Sequence, residues 1–184
     1  MKKLISLLLS IVMVLTMFSV VGSAIDEPFA SGVVQALDGV EFYWELSEDG
    51  GTLTISGKGH MAEFYDAPEW LSYNFTKVVV EDGVCDIGEE AFLNAESLES
   101  VELAESVTII GDRAFYGCKN LKNVEFINVS YIGSMAFYGC MSFTDIEIPE
   151  TVNTIDNYAL GYYCDEALDD EFAKIQDVVI FAKG

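Results

Sequence analysis

Three glutamates recur at one place in a repeating pattern. Glu102, Glu125 and Glu147 lie 23 and 22 residues apart, each between two apolar residues: Val101-Glu102-Leu103, Val124-Glu125-Phe126 and Ile146-Glu147-Ile148. Side chains alternate along a strand, so the apolar pair of each triplet points inward and the glutamate outward. Neighbouring strands stand about 5 Å apart, which makes the three carboxylates a stripe. Such a stripe attracts basic residues of a partner. It could also take a weakly held Ca²⁺, although that ion wants about six to eight oxygens and a flat stripe supplies fewer. Without either, the like charges repel at roughly a few tenths to 1 kcal/mol per pair. Tyr116 and Tyr138 are a second equivalent pair, 22 residues apart. Tyrosine offers contact area at low entropic cost, and these two are candidate binding residues on a recognition surface; the alternative is partly buried packing on the flank of the repeats.

Other chemistry is sparse. His60 is the only histidine, so no histidine pair can bind a metal and any Ser-His-Asp or Cys-His arrangement would have to use it. No motif marks a nucleophile. No phosphate-binding or dinucleotide fingerprint occurs, as Gly57-Lys58-Gly59 is too short for either. A glycosidase needs two carboxylates about 5–10 Å apart, but a chain this acidic meets that by chance. The expectation is a protein that is not an enzyme, with no catalytic residues, no metal site and no cofactor.

The elements that position these residues form a tandem repeat. Ile87 to Ile109 reads IGEEAFLNAESLESVELAESVTI, Ile110 to Tyr131 reads IGDRAFYGCKNLKNVEFINVSY, and Ile132 to Thr154 reads IGSMAFYGCMSFTDIEIPETVNT. A fourth copy opens as IDNYAL at Ile155 and then departs from the pattern. A period of 22–23 residues signals a solenoid whose units bury their apolar sides only against one another. Leu98, Leu121 and Phe143 precede the strand triplets by three residues, which completes an L-x-x-L-x-L pattern. Ala91-Phe92, Ala114-Phe115 and Ala136-Phe137 predict an apolar spine with a short helical turn around each pair. Gly88, Gly111 and Gly133 are expected at tight corners. Cys118 and Cys140 occupy equivalent places and are expected as small buried side chains in a ladder; the alternative is a disulfide between rungs.

Before the repeats, Val40–Leu46 and Thr52–Ser56 flank Glu48-Asp49-Gly50-Gly51, which is turn chemistry, and read as a hairpin. Residues 25–39 read as a lead-in. Trp44 and Trp70, the only tryptophans, are expected to pack where this region covers the first rung. The N-terminus has Lys2 and Lys3, an apolar run from Leu4, and small residues at Gly22-Ser23-Ala24. That reads as a signal peptide with cleavage after Ala24; the alternative is an uncleaved membrane anchor, since the run is about 20 residues long. No later segment is apolar enough to span a membrane. The expected layout is therefore 1–24 signal peptide, 25–76 N-terminal cap, 77–160 repeats and 161–184 an atypical terminal repeat, with the mature protein outside the cytoplasm. The formal net charge of −22 repels phosphate backbones and argues against nucleic acid as a partner. The acidic cluster Asp165, Glu166, Asp169, Asp170 and Glu171 reads as part of an exposed terminal cap, and Val178–Phe181 as a last strand.

The repeat IG-x-x-AF-x-GC-x-x-L-x-x-V, preceded by WELSEDGGTLTISGKGHM, resembles the leucine-rich repeat of bacterial BspA-like surface proteins. The resemblance runs from about Val40 to Leu160. It implies a leucine-rich-repeat solenoid with short parallel strands, short helical or irregular segments in each repeat and a β-hairpin N-terminal cap. It also implies export and a non-catalytic, adhesion-type role toward an extracellular protein or glycan ligand. The alternative is a structural spacer, or a shortened copy of a larger surface protein. The resemblance supplies no catalytic residues.

Overall fold

A computed structural model describes residues 29–35, 39–61, 64, 67–143 and 148–161. The signal peptide, Glu147, Tyr162, Tyr163, Cys164, the acidic cluster 165–171 and the expected last strand 178–181 lie outside the described residues.

Two sheets enclose the core. The larger has six strands: β1 (Ala30–Gln35), β2 (Glu41–Leu46), β3 (Thr52–Gly57), β4 (Lys77–Val80), β6 (Ser100–Leu103) and β8 (Asn123–Glu125), in that spatial order. The smaller stacks four two-residue strands in parallel: β5 (Asp86–Ile87), β7 (Ile109–Ile110), β9 (Tyr131–Ile132) and β10 (Thr154–Ile155). β1, β2 and β3 are antiparallel, but β3 pairs with β4 in parallel. The cap and the repeats therefore share one uninterrupted sheet. The hairpin β2–β3 is where the sequence places it. Residues 30–35, read as lead-in, instead form β1, paired with β2 along its whole length.

Alternation along the strands sets the inside. Phe42, Trp44, Leu46, Leu53, Ile55, Val78, Val80, Val101 and Leu103 are buried. Between the sheets runs a phenyl ladder: Phe92 and Phe115 stack at 5.1 Å, Phe115 and Phe137 at 5.2 Å, both within 8° of parallel. Trp70 closes its first end, 6.1 Å from Phe92, and donates its indole N–H to Ala91 O at 2.9 Å. Both tryptophans are buried, as expected of a cap.

The Ala-Phe segment is the irregular alternative, not a helical turn. Its amides alternate between two kinds of partner. Those of Ala91, Leu93 and Ala95 bond three residues back in their own rung, while those of Glu90, Phe92 and Asn94 bond the carbonyls of Asp112, Ala114 and Tyr116 in the next rung. The pattern recurs one rung on, with Arg113, Phe115 and Gly117 donating to Ser134, Ala136 and Tyr138. Such zigzag bonding requires left-handed residues, found at Glu90, Arg113, Met135 and Tyr158, and again at Asn94, Gly117 and Gly139. The repeated Gly111 and Gly133 are not left-handed corner residues. A Cβ at Gly111 would stand 2.8 Å from Ile87 O and 2.9 Å from Glu89 N. They are glycine because adjacent rungs approach there backbone to backbone.

Candidate binding surface

The strand register carries one outward row across all six strands of the larger sheet. Ser31 pairs with Glu45, Glu45 with Thr54, Thr54 with Val79, Val79 with Glu102, and Glu102 with Glu125. At about 4.8 Å per strand, this row is roughly 24 Å long. Glu102 and Glu125 are thus brought side by side and exposed, as the spacing predicts. Lys77 on β4 reaches over and pairs with Glu102 at 2.7 Å. Both side chains are more than a third exposed, so the pair is worth under about 1 kcal/mol, but it relieves the repulsion along the stripe. Among the described residues no three His, Cys, Asp or Glu side chains come together closely enough to hold a metal ion.

Sequence reasoning from the repeats alone misses the cap's share of this face. Glu41, Tyr43 and Glu45 alternate with buried Phe42, Trp44 and Leu46. That alternation is the signal that could have assigned them outward. The Tyr43 hydroxyl donates to Glu41 Oε2 at 2.9 Å. This hydrogen bond, with the charge of Glu41 behind it, holds the phenol above its ordinary pKa.

Tyr116 and Tyr138 lie in the turn segments, away from the row. They are half-buried and stacked, with ring centroids 5.3 Å apart and planes within 15°. The next rung has Gly161 here, and a Cβ on it would come within 2.8 Å of the Tyr138 ring. The Tyr138 ring is therefore flanked by the rungs on both sides.

His60 Nδ1 lies 2.8 Å from Asp86 Oδ2, and Asp86 also accepts the Met61 N–H. With the Gly59–Val84 bridge, this contact fastens the cap to the first rung.

Cys118 and Cys140 are buried free thiols that donate to Phe92 O at 3.1 Å and Phe115 O at 3.2 Å. Each thiol closes onto the rung before it, as a ladder and not a disulfide. Burial pushes Cys118 well above its ordinary pKa, and Cys140 up to about 12. The unfolded chain ionises first, so the folded state holds more protons between about pH 9 and pH 12. Stability from these two groups is full below about pH 9 and is lost as pH rises toward 12. Urea denaturation from pH 7 to pH 10.5 should show the decline in the parent and a shallower one in Cys118→Ala/Cys140→Ala. Equal slopes would refute the assignment.

Comparison with known proteins places this geometry. The profile of the BspA type leucine-rich repeat region matches residues 69–171, in six copies. No curated protein matches the chain. Among solved structures, a leucine-rich repeat protein from Eubacterium ventriosum is similar, with 24% identity over 69% of this chain and 40% of that one and a TM-score of 0.40. A leucine rich cell surface protein from Faecalibacterium prausnitzii has 27% identity over 67% of this chain and 29% of that one, with a TM-score of 0.49. A leucine-rich repeat protein from T. pallidum has 23% identity, covers 65% and 63%, and has a TM-score of 0.39. This chain spans less than two thirds of each of them.

Proposed function

The chain belongs to the BspA-type leucine-rich-repeat family, and from that premise we propose that it is a non-catalytic binding module working outside the cytoplasm. It engages a protein or glycan through the outward face of the six-stranded sheet. The observation that carries this reading is the shared register of cap and repeats, which makes one face of what could have been two. The strand backbone fixes each outward side chain, so the face is pre-organised and little entropy is lost on binding. Small hydroxyls at Ser31 and Thr54, carboxylates at Glu45, Glu102 and Glu125, and one apolar residue, Val79, suit a polar ligand with some positive charge. The leader read at residues 1–24 supports export.

Capture of immobilised extracellular-matrix proteins and glycans tests the reading. Changing Glu102, Glu125 and Glu147 together to alanine should weaken capture about tenfold, near 1.4 kcal/mol, with the melting temperature unchanged. Unchanged capture would remove the sheet face as the ligand site. Absence of any capture by the parent would favour a structural spacer.

A further inference from the structure

Among the described residues, nothing pairs with the outer edge of β1. Exposed edges in native proteins are usually blunted by lysine, proline, a bulge or a covering segment. β1 reads Ala-Ser-Gly-Val-Val-Gln, with no charge and no proline, and its register with β2 runs unbroken over six residues. Among the described residues it is open to a further strand.

The surroundings say what kind of strand fits. On the outward side Val33 and Tyr43 face each other and are 52% and 50% exposed. Glu45 stands opposite Ser31 and Glu41 opposite Gln35. An incoming strand therefore meets an apolar centre between two carboxylates. On the inward side the Trp44 indole passes beneath Gly32: a Cβ there would lie 2.7 Å from Cε2 and 2.8 Å from Cζ2. The indole nitrogen thus lies under the edge strand, where it is buried and, among the described residues, has no hydrogen-bond partner. Leaving a buried N–H unsatisfied is costly, and an acceptor brought in at this edge would offset that cost.

We propose that the β1 edge receives an extended, basic polypeptide segment, which adds antiparallel to β1 as a seventh strand. Main-chain hydrogen bonds to β1 supply affinity, and alternate side chains supply specificity. Lysine or arginine at two outward positions reaches Glu45 and Glu41, with an apolar residue between them over Val33. The inward residue opposite Gly32 is an amide or hydroxyl that accepts from the indole N–H. Charge excludes a second copy as the preferred occupant. A second copy would pair through its own β1, which carries no cation for Glu41 and Glu45. The inference concerns the edge of the sheet and does not rest on its face being a ligand site.

The probe is a capped peptide with Lys-Val-Val-Asn-Lys at its centre, flanked by threonines, added to the purified protein and read by amide hydrogen exchange and tryptophan fluorescence. Exchange at Ala30–Gln35 should slow at least tenfold on adding peptide. Binding should weaken at least tenfold when glutamate replaces both lysines. It should weaken similarly in Val33→Lys, an exposed substitution that leaves the cap folded. Four results would each overturn the proposal: no slowing at β1; slowing without peptide that grows with protein concentration, which means that a second copy pairs there; protection already complete without peptide at any concentration; or equal binding of the two peptides or of the two proteins.

Discussion

Phe115→Ala is expected to cost about 3–5 kcal/mol of folding stability, a large share of the roughly 5–15 kcal/mol that holds an ordinary domain folded. The ring is fully buried and sandwiched between Phe92 and Phe137 at 5.1 and 5.2 Å. Removing it deletes two aromatic stacks and opens a cavity that neither neighbour can fill, because each ring is also held by its own rung. Rungs contact only their neighbours, so a weakened middle rung uncouples the two ends of the array. Urea unfolding monitored by circular dichroism should show a lower midpoint and a shallower slope, the mark of lost cooperativity. A variant within about 1 kcal/mol of the parent would mean that the phenyl ladder is not the core of the solenoid.

Gly111→Ala should cost about 1–3 kcal/mol through overpacking, a large effect for one methyl group. Its added Cβ meets Ile87 O, Glu89 N and Gly88 C, at 2.8, 2.9 and 3.0 Å. All three are backbone atoms and cannot turn aside as a flexible side chain would. The hydrogen bond from Gly111 N to Ile87 O, at 2.8 Å, lies in the contact that would have to open. Asp156 shows where a side chain is tolerated at the equivalent place. That rung keeps the bond to the rung before it, Asp156 N to Ile132 O at 2.9 Å, while Ile155 beside it is 42% exposed, against full burial of Ile110. Thermal melting together with amide exchange at position 111 checks the prediction. Stability equal to the parent would return Gly111 to the role of an ordinary corner.

These two residues show what the sequence could and could not reveal. Phe115 is legible because burial of a repeated ring follows from periodicity alone. Gly111 is legible as a requirement, but its cause is not. A glycine needed for a positive φ and one needed for close approach look the same in one dimension, and only the stacking of rungs separates them. The left-handed residues Glu90, Arg113 and Met135 carry no local signal, because the alternating hydrogen bonds between rungs impose that conformation on whatever side chain is present. β1 escaped for a related reason. Alanine and glycine are weak strand formers, so Val33 and Val34 stand without a strand-like run around them, and β1 exists because β2 offers six residues of register. Glu102 and Glu125 were legible as neighbours on a face, since alternation and period fix both facts. That Lys77 leans across to one of them, or that the tyrosines spend their faces on each other, depends on side-chain direction that spacing does not encode.

The ion pairs between rungs bear on a problem that every near-identical repeat shares. The buried Ile, Ala, Phe and Leu are interchangeable from rung to rung, so a folding chain could stack a rung on the wrong neighbour at almost no cost to its core. The charges are not interchangeable. Glu90, Glu96 and Glu99 in the first full rung meet Arg113, Lys119 and Lys122 in the second, all three pairs 23 residues apart and at 2.7–2.9 Å. In the third rung the places of Arg113 and Lys119 are held by Met135 and Met141, which offer those glutamates nothing. Each exposed pair adds little stability. Together they work as an address, written outside the core, that tells one rung which other rung to follow.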